Sequence, residues 1–254
     1  MTQMVDALLN GKYKIKLPKH RAEMAEYNSE AGWEKKRLES MHSMIGKGDV
    51  VYYVGTELGE MAALCALWGA EVVLFEPNHT AWPSIYQTFK ANKLPNPVGN
   101  FAGFASNVHQ PIPPLVDTGL FGGVGYVNDK DGWPAYSYKD INERQHFSHL
   151  YEEAQGLPQY RIDDLVAEGL KPPTVITFDC EGSDWEVMKG ADKVLKIHKP
   201  KIWASIHPEF MFHQFGQYSR DFRNWIIDHG YDEQYIDYAH ELHMLYTPNG
   251  KPSK

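Results

Sequence analysis

Four short apolar runs punctuate the chain, each ending at a glycine, an acidic residue or a histidine. They are Val50-Val51-Tyr52-Tyr53-Val54 before Gly55, Val72-Val73-Leu74-Phe75 before Glu76, Val175-Ile176-Thr177-Phe178 before Asp179, and Ile202-Trp203-Ala204-Ser205-Ile206 before His207. Runs of this length, rich in β-branched and aromatic residues, predict strands of a parallel sheet buried on both faces. Between the first two lies Met61 to Trp68, Ala/Leu-rich and helical, stopped by Gly69. Another helix is expected through Ile85, Phe89 and Leu94, closed by Pro95 and Pro97. Strand, Gly turn, helix, Gly and strand make a βαβ unit, so the fold expected is α/β, with helices on both faces.

The remaining pattern is less regular. Residues 98–106 predict a third strand, 161–166 a short helix start, 222–230 an amphipathic helix, and 231–238 and 241–246 two final strands. Ser183 with Glu186 three residues on has the form of a capping box, opening a helix to about His198. Met24, Tyr27, Trp33, Arg37 and Met41 recur at helical steps, so residues 1–45 are expected as an N-terminal helical extension before a catalytic domain over 46–254. Residues 107–150 are Pro/Gly/Tyr-rich and predict long loops with a hairpin near 121–127, a candidate lid or substrate surface.

Composition narrows the class. The chain has 254 residues, 43% hydrophobic and 23% charged, which suits a globular domain with a sizeable core. No apolar run approaches the roughly 18–20 residues of a membrane span. The start lacks the basic, apolar and small-residue sequence of a secretion signal. Cys65 and Cys180 sit in apolar segments, fitting a reducing compartment. The expected location is therefore cytoplasmic. A net charge of −8 counts against a nucleic-acid backbone as partner and leaves a small molecule or glycan. A homodimer is compatible with the sequence, which does not set the oligomeric state.

The first Gly turn, with Gly55 and Gly59 in a G-x-x-x-G spacing, lets backbone N–H groups and a helix start face a ligand. Glu76 at the tip of the second strand can accept both hydroxyls of a ribose. The spacing is not the G-x-G-x-x-G of dinucleotide binders, which disfavours an NAD-dependent Rossmann enzyme. It leaves room for a nucleoside attached to an amino acid.

These blocks, VVYYVGTELGEMAALCALWGAEVVLFEP and, later, YRIDDLV with TFDCEGSDWEVMKGADKVL, resemble the FkbM family of S-adenosylmethionine-dependent methyltransferases over roughly residues 48–210. The resemblance implies a class I methyltransferase, Rossmann-like fold: seven strands, mostly parallel, the last antiparallel. It implies S-adenosylmethionine as cofactor and O-methylation of a sugar or natural product. Carried across, Gly55, Glu57 and Gly59 would line the methionine part, Glu76 would hold the ribose, and Ala102-Gly103-Phe104 would pass the adenine. The chain departs from the family pattern at Tyr53-Val54, Thr177 and Ser205, where the family often has polar or charged groups. Those departures support a rival reading, a non-catalytic interaction module with a degenerate cofactor site.

Methyl transfer to a hydroxyl needs proximity and removal of a proton, by a tuned base or with the help of a metal. Asp179, Glu181 and His207 stand at strand tips on the ligand-binding edge. His207 or Asp179 is expected as general base, with Glu181 orienting substrate or His207. The same three could hold a divalent cation, Mg²⁺ if carboxylates dominate. His213, His240 and His243 are weaker candidates; on a strand His240 and His243 would face opposite ways. Trp133, Tyr136 and Tyr138 are expected to pin a loop rather than to stack on a sugar, and Cys180 to be core.

Overall fold

The computed structural model describes residues 3–29, 31–78, 80–109, 133, 158–238 and 241–251. The N-terminal segment, expected as helices, begins instead with an antiparallel hairpin of β1 (Met4–Leu9) and β2 (Tyr13–Pro18). Tyr13-Lys14-Ile15-Lys16-Leu17 alternates buried and exposed, the period of a strand. The Asn10-Gly11 turn has positive φ at both residues, 52° and 66°, which an Asn-Gly pair tolerates well. Helix follows only afterwards, in α1 (Lys19–Ala22), α2 (Ala25–Asn28) and α3 (Lys35–Met44). Leu9, Ile15, Leu17, Leu38 and Met41 join the same apolar cluster as Val51 and Leu74, so this segment covers one face of the sheet.

The sheet itself begins at its middle with β3 (Val50–Val54), then runs outward through β4 (Glu71–Phe75) and β5 (Gly99–Phe101). A small parallel pair, β6 (Phe104–Ala105) with β7 (Gln159–Tyr160), lies apart from it. Of the strand expected over 98–106, only its first part therefore joins the main sheet. The chain returns beside β3 as β8 (Val175–Asp179) and β9 (Lys201–Ile206). It finishes with β10 (Tyr231–Tyr238) and β11 (Leu242–Pro248), giving the order β10-β11-β9-β8-β3-β4-β5. Among the described strands of this sheet, only β11 runs against the rest. The reversal of winding between β4 and β8 on either side of β3 opens a crevice at the C-terminal strand tips.

Helices α4 (Glu60–Leu67), α5 (Trp82–Ala91), α6 (Ile162–Ala167), α7 (Asp184–Lys189), α8 (Asp192–Ile197), α9 (Pro208–Phe215) and α10 (Ser219–Asp228) complete the described elements. Alternate residues of β3 feed two cores: Val51 and Tyr53 one face, Val50, Tyr52 and Val54 the other. The helix expected from Ser183 to His198 is two helices, broken at Gly190-Ala191. Its capping box does not form: the Ser183 hydroxyl donates to the Cys180 carbonyl at 3.0 Å, and Glu186 accepts from Lys189 and Gln217, each at 2.8 Å. The break is instead tied down by Asp163: its N–H donates to the Gly190 carbonyl, and its carboxylate accepts from Lys193 and Val194 N–H, each 2.9 Å. No helix among the described residues is long and apolar enough to cross a membrane.

Candidate active site

A cavity of about 320 Å³ opens at the tips of β3, β4 and β8. Gly55, Glu57, Glu76, Gly103 and Phe104 all line it, with Asp179 and Glu181. Gly55 has φ 73°, and a Cβ there would lie 1.8 Å from the Asp179 carbonyl oxygen, so two strand tips touch through the missing side chain. Gly59 does not line the cavity. It begins α4 at φ 93° and packs its Cα against Ile85, serving the turn rather than the wall. Glu57 and Glu181 both hold φ 51°, an unfavourable conformation for non-glycine residues, in the two loops that frame the cavity.

Glu76 is buried. One carboxylate oxygen accepts the Glu57 N–H and the other the Asn78 N–H, each at 2.7 Å. Burial pushes its pKa up to about 8, against the pull of those two N–H donors. Each oxygen keeps a further lone pair for a ligand hydroxyl.

On the β8 side the site is a network of charges. His207 begins α9 and is buried; its Nε2 lies 2.7 Å from Glu241 Oε2, while Glu181 Oε2 stands at 3.6 Å. Its Nδ1 faces Asp179 Oδ1 at 3.8 Å, with no hydrogen-bond partner. Burial lowers the His207 pKa, but the Glu241 hydrogen bond and the charges of Asp179 and Glu181 outweigh it, giving about 9. Burial and the Glu241 charge push Asp179 well above the usual carboxylate range. For Glu241, burial is overcome by hydrogen bonds from His207 and His243, holding it below that range.

Several of these groups escaped sequence reasoning. Glu241 stands immediately before β11 and His243 within it, on the strand that pairs antiparallel with β9; Leu242 opposite Ile206 sets Glu241 beside His207. That pairing was the available signal. His243 is fully enclosed, its Nε2 2.8 Å from Glu241 and its Nδ1 2.9 Å from Asp237. Glu34 and Arg37 come from the N-terminal segment. Arg37, buried, pairs with Glu34, approaches Asp179 at 3.8 Å, and donates to Thr177 Oγ1 at 3.0 Å. Thr177, one of the departures from the family pattern, thus serves a cation supplied from α3.

Of the three groups expected around a cation, Asp179 and His207 fall together, joined by Glu241; Glu181 is the more exposed neighbour. Buried Trp133 packs edge-on against Tyr86 and Phe89 and donates to Asn96, the pinning role expected. Burial raises the Cys180 pKa, which does not suit a reactive thiolate. His213 lies on α9, away from the cavity lining. Tyr136, Tyr138, His240 and the hairpin expected over 121–127 lie outside the described residues.

A seven-stranded sheet with one antiparallel strand and a crevice at its switch point defines a class I, Rossmann-like methyltransferase fold. Residues 49–233 match the model of the methyltransferase FkbM domain, and the chain belongs to that family. Among solved structures, the methyltransferase FkbM from Methylobacillus flagellatus KT superposes with a TM-score of 0.52 at 16% identity, over 78% of this chain and 43% of that one. The chain thus spans less than half the length of that protein, and the likeness shows the fold. An rRNA methylase from Streptococcus thermophilus gives a TM-score of 0.46 at 9% identity, over 85% of this chain and 96% of that one. P. horikoshii TYW2 in complex with MeSAdo gives 0.45 at 13%, over 97% and 70%. No curated protein matches the chain.

Proposed function

We propose that the chain is an S-adenosylmethionine-dependent O-methyltransferase acting on a hydroxyl of a sugar, glycan or glycosylated metabolite. The observation that carries this is the cavity at the switch point, with buried Glu76 presenting two oxygens and the Gly55 backbone at its floor. A ribose suits Glu76, whose two spare lone pairs match two adjacent hydroxyls. The methionine part would lie along Gly55 and Glu57, the adenine beside Gly103 and Phe104. When bound, the sulfonium supplies an activated methyl group. The chain's own part is to align an acceptor oxygen with it and to draw off the hydroxyl proton.

Asp179 and His207 supply that second function, being adjacent, His207 buried and Asp179 half-buried, and both raised above their ordinary pKa values. Glu181 lies within reach of an acceptor from the framing loop. The carboxylates of Glu34, Asp179 and Glu181 around the opening favour a neutral polyol over a phosphate-rich acceptor. Calorimetry with S-adenosylmethionine, its demethylated product and NAD tests the reading. Tight binding of both sulfur ligands and none of NAD is expected, followed by labelled methyl transfer to a panel of glycosides. A folded chain that binds neither sulfur ligand overturns the proposal in favour of a non-catalytic module.

A further inference from the structure

Two groups of carboxylates and imidazoles meet at Glu241. One is Glu34, Glu241 and His243; the other is Asp179, His207 and Glu241, each with its ligand-type atoms within 4.8 Å of one another. They differ in what is left over. In the first group both His243 nitrogens are engaged, by Glu241 and Asp237, and Glu34 is held by Arg37. In the second, His207 Nδ1 is buried, lacks a hydrogen bond, and points at Asp179 Oδ1 across 3.8 Å. That separation is too long for a hydrogen bond. It is the right span for two ligands of one cation, since bonds of about 2.1 Å place ligand atoms about 3–4.2 Å apart.

We infer that His207 Nδ1 and Asp179 Oδ1 bind one divalent cation at the rim of the cavity, with Glu241 orienting the imidazole through Nε2. The carboxylate–histidine–metal arrangement fixes which ring nitrogen ligates, and Glu241 at 2.7 Å from Nε2 is placed to do so. The charge balance agrees. Glu34, Asp179 and Glu241, with the more exposed Glu181 beside them, converge here around the Arg37 guanidinium and the His207 imidazole. Asp184 adds a fully buried carboxylate with neither oxygen hydrogen-bonded. A divalent cation at this point would offset carboxylates gathered in a partly desolvated place. One oxygen and one nitrogen ligand suit Mn²⁺, which accepts both donor types and completes its shell with water. Because Asp179 also lines the donor cavity, an acceptor oxygen can take one of those open positions, and the cation would then acidify the hydroxyl in place of His207, whose two nitrogens it and Glu241 engage. That use of the cation rests on the methyl-transfer reading; its binding does not.

The test is Mn²⁺ titration of the chelator-stripped full chain, followed by electron paramagnetic resonance. One Mn²⁺ per chain is expected, with imidazole nitrogen hyperfine coupling that His207→Gln removes. Asp179→Asn should weaken binding at least tenfold, and Glu241→Gln, acting on the imidazole orientation, by about 10–100-fold. Both are isosteric, and circular dichroism and melting curves verify that they fold. Folded wild type that binds no Mn²⁺ at millimolar concentration, or binding undiminished in Asp179→Asn and His207→Gln, overturns the site. Donor calorimetry run in parallel separates the two readings. A chain that binds the sulfonium but no Mn²⁺ loses only the cation site, and one that binds Mn²⁺ but no sulfonium loses only the methyl-transfer function.

Discussion

The two sides of the cavity are built on opposite plans. The donor side comes from one βαβ unit, and its key carboxylate, Glu76, has both oxygens held by backbone N–H groups a few residues from the same turns. The acceptor side draws Glu34 and Arg37 from α3 and the loop before it, Asp179 from β8, His207 from the start of α9, and Glu241 and His243 from the beginning of the last strand and the residue before it. Side chains hold one another there, and His207 Nδ1 and both Asp184 oxygens have no hydrogen bond. A site satisfied by its own backbone survives changes elsewhere in the chain. One satisfied by distant side chains is only as stable as the packing of both chain ends.

Removing Arg37 tests that contrast most severely. Arg37→Ala strips its guanidinium from Glu34 and Asp179 and should cost about 3–5 kcal/mol, the usual loss when a buried pair is broken. For a chain of this size that lowers the melting temperature by roughly 10 °C. Arg37→Lys, which keeps the charge but not the fork, should fall between. Donor affinity measured below the melting point should stay near wild type, because no donor-side residue depends on Arg37. An unchanged melting curve would show that the N-terminal segment does not hold the acceptor side.

Gly55→Ala attacks the seam between the two sides. A methyl group 1.8 Å from the Asp179 carbonyl must push β3 and β8 apart at their tips, and the positive φ disfavours alanine as well. Overpacking and backbone strain together should cost about 2–4 kcal/mol, read by denaturant unfolding. Unlike Arg37→Ala, this variant should lose donor binding too. Glu76→Gln is narrower. The new amide presents a donor to one of two backbone N–H groups and can no longer ionise. Affinity for S-adenosylmethionine should drop by about 1.5–3 kcal/mol, roughly 10–150-fold, with stability altered less. Calorimetry showing equal affinity would remove Glu76 from the ribose.

The same contrast explains what could be read from the sequence. Strand runs ending at Gly55, Glu76, Asp179 and His207 are local signals, and five of the seven residues expected at the donor line the cavity, Gly59 and Ala102 lying outside it. Gly59 fell out because a glycine that starts a helix has the same appearance as one that faces a ligand. The acceptor side depended on a long-range pairing, Leu242 with Ile206, which places Glu241 beside His207 and which no local pattern encodes. Arg37 looked like one tooth of a helical stripe, and its destination at Thr177 and Asp179 is a tertiary fact. The hairpin at the N-terminus was legible, in the Asn10-Gly11 turn and the alternation of Tyr13, Ile15 and Leu17. A three- and four-residue spacing further on outweighed it.

The smallest effect concerns pH. With its pKa raised to about 8, Glu76 is mostly protonated in the folded chain at neutral pH, whereas unfolded it would ionise near the ordinary value. An acid raised in this way stabilises the fold below its unfolded pKa, and that contribution is lost as pH rises through about 8. Donor binding runs the other way, since two ribose hydroxyls donate best to the ionised form. Affinity for S-adenosylmethionine should therefore rise about tenfold between pH 7 and 9, while the unliganded chain becomes less stable over the same interval. Glu76→Gln should flatten the affinity profile. A wild-type affinity that is flat or falls across that range would mean that Glu76 is already ionised in the folded chain, its two backbone donors outweighing burial. The donor side would then be rigidly preset rather than pH-dependent.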